Sequence, residues 1–200
     1  MRDWVQDNGS GAADRISRII EPFGDRNVLA STLGAGYLAG ILMDDRKIEE
    51  TVLLALPGFV LTEIATFGLK RLARRARPTS GRGHDAFDGP RWHGTAEPGR
   101  YQKSFPSGHA ASAFAVATVV ASEYDNPIVQ ATAYGLAAGV AWSRAYDDKH
   151  WATDVLAGAV LGHGIGKVVS EFSPFRDDGL LSISGSESDS SGSLVPTSRF

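Results

Sequence analysis

Three short clusters in this 200-residue chain hold side chains able to act on an anion. The first is Lys70, six residues, then Arg77-Pro78. Pro78 biases Arg77 out of the helical conformation, so two cations on neighbouring turns can converge from a helix end and the loop after it. The second is Pro106-Ser107-Gly108-His109, followed by the helical run 110–121. Ser107 is a natural N-cap, Gly108 lets backbone approach a ligand, and a helix starting here aims free amide donors at an anion. His109 stands at the same end and could protonate a leaving oxygen. The third is Ser143-Arg144, five residues, His150, three residues, Asp154. On one helix the i, i+4 pair His150 and Asp154 would share a face, with the carboxylate accepting from the imidazole. That bond would fix the tautomer and leave the second ring nitrogen free to attack. Arg144 offers a forked donor suited to phosphate oxygens.

Taken singly, each cluster has a plainer reading: a basic last helical turn, a capped helix with an incidental histidine, a histidine steadied by an acid. Taken together they do not, because core packing has no use for Lys, two Arg, two His, Ser and Asp at these separations. Such a set has three cations, a helix N-terminus, a nucleophile with an orienting acid, and a second histidine as general acid. It suits hydrolysis of a phosphate ester without a metal.

The elements that must position these residues are marked by charge. Residues 27–43, 104–122, 126–143 and 155–166 contain no Asp, Glu, Lys or Arg, and 51–69 contain only Glu63. These five segments predict helices. If each crosses the bundle once, residues 70–109 and 143–154 fall at the same end. A bilayer span wants about 20 apolar residues, so each segment is short or marginal, and the mean hydropathy of −0.12 is low for a membrane protein. Four-residue glycine spacings (Gly36 and Gly40; Gly135 and Gly139; Gly158, Gly162 and Gly166) build smooth ridges for close helix approach and favour a membrane bundle over a soluble one. Residues 12–21 read as an amphipathic helix closed by Pro22, lying on a membrane surface or packed on the bundle. The divisions expected are an N-terminal segment 1–26, a helical domain 27–175, and a polar tail 176–200 that is expected to be disordered. No secretory signal is visible at Met1-Arg2-Asp3-Trp4.

Composition excludes other classes. With no cysteine there is no disulfide framework, thiolate metal site or cysteine nucleophile. A net charge of −3, with no basic arm interleaved with aromatics, argues against a nucleic-acid partner. Glu63, alone in its apolar segment, is a candidate functional group. His84, Asp85, Asp88, Trp92 and His93 sit in the loop 79–103, where no spacing matches a metal site. His163 reads as a packed histidine.

The pattern Lys70-x6-Arg77-Pro78, Pro106-Ser107-Gly108-His109, Ser143-Arg144-x5-His150-x3-Asp154 resembles the three-part signature of the type 2 phosphatidic acid phosphatase family, whose fold and site are shared with vanadium-dependent haloperoxidases. All eleven positions are filled, and the motifs with their helices cover about residues 50–170. The resemblance implies an all-α, membrane-embedded bundle of five to six helices with the site at one end. It implies a phosphatase in which His150 attacks phosphorus, Asp154 orients it, and His109 protonates the leaving group and then activates water. Lys70, Arg77, Ser107, the Gly108 amide and Arg144 would hold the phosphoryl oxygens. No metal or other cofactor is implied, and vanadate is expected to inhibit as a phosphate mimic. Candidate substrates are phosphatidic acid, phosphatidylglycerophosphate or an isoprenyl diphosphate, with no obligate protein partner. The alternatives are a soluble periplasmic acid phosphatase and a vanadium haloperoxidase. Six spans are common in the family; here there are five segments and the amphipathic stretch. The many cations at the site end would place it in the cytoplasm by the positive-inside rule, whereas the resemblance implies a site outside the cytoplasm.

Overall fold

A computed structural model describes residues 11–90 and 103–173; the polar tail 176–200, Trp92 and His93 lie outside the described residues. Within them the chain is all-α. The helices are α1 (Gly11–Ile20), α2 (Arg26–Met43), α3 (Arg46–Ala73), α4 (Gly108–Glu123), α5 (Pro127–Tyr146) and α6 (Ala152–Glu171). The five charge-poor segments became α2 to α6, and the amphipathic stretch became α1, extended by a 3-10 turn over Glu21–Gly24 with Pro22 in its first turn.

Short polar residues set the boundaries. Asp25 accepts from the amides of Asn27 and Val28 to cap α2. Asp44, in the left-handed region, ends α2, and Asp45 accepts from the Ile48 amide to start α3. Asn126 caps α5, whose first residue is Pro127. These side chains satisfy amides that a helix start leaves without partners.

Helix α4 is central, touching α3, α5, α6 and the 3-10 turn, and it is apolar on every side as a surrounded helix must be. Its contact with α6 rests on missing side chains. A Cβ on Gly158 would strike the Ser107 carbonyl, one on Gly162 the Ala111 carbonyl, and one on Gly166 would lie 2.8 Å from the Ala115 carbonyl. This ridge therefore lets two backbones touch. The other ridges differ: Gly40 packs on Glu49 and Gly139 on Ile20, but Gly135 faces open space.

Around α4 much of the interior is small, among it Ala110, Ala111, Ala115, Ser112 and Thr118, beside one cluster of larger apolar side chains, Leu29, Leu33, Val52, Leu54, Phe59 and Val119. Buried hydroxyls bond back into their own helices, Thr62 to the Gly58 carbonyl and Thr118 to that of Phe114, each at 2.7 Å. Many other large apolar side chains point outward, including Leu38, Leu42, Val60, Leu61, Ile64, Leu156, Val160 and Phe172. Among the described residues one helix, α3, is long and apolar enough to cross a membrane, with a mean hydropathy of 1.9 over its most apolar stretch. Helix α1 packs on the bundle: Ser17 donates to Asp147 at 2.9 Å and the Tyr146 hydroxyl to Asp14 at 2.7 Å.

Candidate active site

The loop between α5 and α6 carries His150. Its amide and that of Lys149 both bond the Arg144 carbonyl, folding the loop back over the end of α5. The ring is buried at 4 % exposure. Its Nδ1 lies 2.6 Å from the Ser104 carbonyl oxygen. A carbonyl only accepts, so Nδ1 carries the proton and Nε2 holds the free lone pair.

Asp154 occupies a different place from the one the i, i+4 rule assigns. Helix α6 starts after His150, with Trp151 extended at its N-cap, so the two residues do not share a helical face. The Asp154 carboxylate is 3.9 Å from His150 Nδ1, too far for a hydrogen bond. It turns back to accept from the Trp151 amide at 3.0 Å, from Ser104 Oγ at 2.5 Å and from Arg75 Nη1 at 2.6 Å. Ser104 thus links the two groups, its hydroxyl donating to Asp154 and its carbonyl accepting from His150. Burial pushes the His150 imidazole below the ordinary histidine range, against the pull of that carboxylate.

Arg75 and Ser104 carry no signal in the motif spacing. Arg75 lies in an extended stretch paired with Phe87, and it also donates to Thr153 Oγ1 at 2.6 Å and to the His84 carbonyl at 2.8 Å. With Arg75 at 5 % exposure and Asp154 at 0 %, this is a buried ion pair whose remaining polar atoms are satisfied. That condition lets such a pair persist away from water.

Opposite this wall opens a cavity of about 610 Å³. Lys70, Arg77, Lys103, Gly108, His109, Arg144 and His150 all line it, so residues from all three clusters meet at one space. Lys70 comes from the last turn of α3. Arg77 comes from the extended residue before Pro78, its guanidinium pushed below the ordinary arginine range by burial and by the neighbouring Arg144. Gly108 and His109 are the first two residues of α4, where amides lack helical partners. A Cβ on Gly108 would lie 3.3 Å from Lys70 Nζ, so the glycine admits the lysine. Arg144 is buried; its Nη1 pairs with Glu21, and its Nε has no hydrogen-bond partner among the described residues.

Two of the expected site residues stand behind the cavity wall. Asp154 is fully buried as described. Ser107 is fully buried too; its Oγ accepts from the Ala110 amide at 3.4 Å and its own amide donates to the Asp154 carbonyl at 2.9 Å. Its position is that of a cap tying α4 to α6. The N-terminal segment, in turn, contributes more than its sequence signals. Gly24 packs against the His109 ring, while Asp25 and Arg26 line the cavity. Among the described residues no group of three or more His, Asp or Glu side chains is placed to hold a metal ion. His163, expected to be packed, is exposed, with its Nδ1 3.1 Å from Thr118 Oγ1 and its ring beside Tyr134.

An all-helical bundle with cations, two histidines and a helix N-terminus around one cavity defines a class of anion-processing sites. The chain belongs to the PAP2 superfamily, which it matches over residues 51–178. It is 40 % identical over 72 residues to a Porphyromonas gingivalis protein named lipid A 1-phosphatase, a match that takes in 35 % of this chain and 16 % of that one. The chain thus spans about a sixth of the length of that relative. The fold is that of the crystal structure of Aquifex aeolicus LpxE, with a TM-score of 0.64 at 21 % identity, covering 86 % of this chain and 93 % of the other.

Proposed function

We propose that the protein is a metal-independent lipid phosphatase working through a phosphohistidine. His150 Nε2 attacks phosphorus, forming the N–P bond as the ester P–O bond breaks. His109 gives its proton to the departing alkoxide. In the second step His109, now neutral, takes a proton from water; the resulting hydroxide displaces His150 and releases inorganic phosphate. Lys70, Arg77, Arg144 and the Gly108 amide bear the charge of the equatorial oxygens in both transition states. Donors of this kind contribute about 3 kcal/mol each where the transition state strengthens them, and a placed general acid about 10²–10⁴-fold. Asp154 acts one step back, holding Ser104 and the turn that carries the nucleophile.

The single observation that carries this reading is the shared cavity: both histidines, Gly108 and the cations of the first and third motifs line the same space. Two further points support a lipid substrate held in a bilayer. The outward side chains of α2, α3 and α6 are large and apolar, as a lipid-facing surface requires, and the P. gingivalis relative is named for a lipid phosphate. On this reading the bundle is a multi-pass membrane protein whose site lies outside the cytoplasm.

The test is phosphate release by the detergent-solubilised protein from a short-chain phosphatidic acid and from p-nitrophenyl phosphate, with EDTA present. Activity that survives EDTA, is inhibited by vanadate, and drops at least 10³-fold in His150→Ala is the expected result. A His150→Ala protein with full activity removes the mechanism.

A further inference from the structure

Glu63 has no part in the chemistry just described, and its position is hard to reconcile with phosphate binding. It is the one ionisable residue of segment 51–69. It lines the same cavity as Lys70, seven residues further along the same helix. Seven residues are two turns, so the two groups share a face about 10 Å apart, with Thr66 and Phe67 between them also on the cavity wall. One carboxylate oxygen accepts from the buried Ser112 hydroxyl at 2.8 Å. The other lies 3.9 Å from Arg26 Nε, beyond hydrogen-bonding reach. The Glu63 side chain keeps 29 % exposure, and Arg26 keeps 73 %. An anion here repels phosphoryl oxygens, yet it retains lone pairs directed at whatever enters.

We infer that Glu63 is a specificity subsite for the carrier alcohol of the substrate, accepting a hydrogen bond from a hydroxyl or amide N–H that lies about two helical turns from the phosphoryl group. The inference rests on the phosphatase reading and narrows it. A carrier with such donors, built on a sugar or glycerol unit, is favoured. A prenyl carrier has no donor to offer, and a second phosphate group placed near Glu63 meets repulsion. Ser112 holds the carboxylate in place, and Arg26 limits the cost of keeping a charge beside an apolar helix face.

The experiment compares kcat/KM for two amphiphiles that bear the same phosphomonoester, an acylated glucosamine 1-phosphate and farnesyl phosphate, in wild type, Glu63→Ala and Glu63→Gln. A hydrogen bond to a charged group is worth about tenfold or more. The ratio of kcat/KM for the sugar lipid over farnesyl phosphate is expected to fall about tenfold in Glu63→Ala, and by less in Glu63→Gln, which keeps an acceptor oxygen. Should Glu63→Ala not fold, Glu63→Gln reads the same ratio. A ratio that stays at the wild-type value, or losses equal on both substrates, overturns the subsite and reduces Glu63 to a neighbour of Lys70. Failure of the parent mechanism reads out separately, as hydrolysis of both substrates surviving His150→Ala.

Discussion

The two walls of the cavity are built on opposite plans. On the His150 wall every strong group is already engaged within the protein: Nδ1 by the Ser104 carbonyl, Asp154 by Ser104, Arg75 and the Trp151 amide. On the wall of cations Arg144 keeps an Nε without a hydrogen-bond partner among the described residues, and Lys70 and the first two residues of α4 line the cavity. The first wall needs nothing from a substrate to hold its shape; the second holds like charges together and is completed by an anion. Changes to Arg75, Ser104 and Asp154, which stand behind His150, should therefore register first as lost stability, and changes to the cations of the second wall as lost activity.

The largest effect is expected for Arg75→Met. It leaves the Asp154 carboxylate buried without its ion-pair partner, a change that costs about 3–5 kcal/mol. Denaturation in detergent should show it as a lowered midpoint. An unchanged midpoint breaks the contrast, because the pair would then not be holding the wall.

Arg144→Ala should behave in the opposite way. Loss of one donor to a developing anion costs about 10²–10³-fold in kcat, while Glu21, at the protein surface in part, is left free to meet water. Steady-state kinetics should show the loss at a nearly unchanged unfolding midpoint. A marked fall in stability without loss of turnover places Arg144 in the structural wall instead.

Gly162→Ala tests how the walls are held against each other. Helix α6 carries Asp154 and α4 carries Gly108 and His109, and the Ala111 carbonyl occupies the space a Cβ would need. Overpacking of this kind costs about 1–3 kcal/mol. Because relief requires the two helices to separate, kcat should drop with stability. Gly135→Ala, where nothing lies within 4 Å, is the control and should stabilise the exposed helix by up to about 1 kcal/mol.

How much of this was legible without coordinates follows the range of the interactions. The absence of charge from 104–122 and 126–143 marks α4 and α5 to within about four residues at each end, since charged residues gather in the turns between apolar helices. The Ser107 cap of α4 acts within three residues and is equally plain. The motif residues could be gathered at one end by counting crossings. The partners that hold them could not. Arg75 meets Asp154 across 79 residues and Arg144 meets Glu21 across 123, and no local pattern records such pairs. The i, i+4 rule misplaced Asp154 for a related reason: it presumes a helix, and Trp151 begins one only after His150. Membrane competence is less legible, since only α3 combines length with apolarity among the described helices. The small residues that let the others pack tightly are what lower their hydropathy.

The smallest effect concerns pH and links the two walls directly. On the proposed mechanism His150 must be neutral to attack, and burial holds its pKa below the ordinary histidine value, with Lys70, Arg77 and Arg144 pressing in the same direction. A depressed pKa means the folded state keeps the ring neutral below pH 6.5, the ordinary value. The stability this group contributes is present above 6.5 and is lost as pH falls through the folded-state pKa. The acid limb of kcat/KM should follow the same ionisation. Removing one facing charge in Arg77→Ala relieves part of the depression, so that limb should move to higher pH, by less than one unit. The phosphate monoester also titrates near pH 6, but identically for both enzymes, so the displacement between the two profiles belongs to the protein. Coincident acid limbs in wild type and Arg77→Ala would show that the cations of the open wall do not reach the nucleophile electrostatically, and that the two walls act apart.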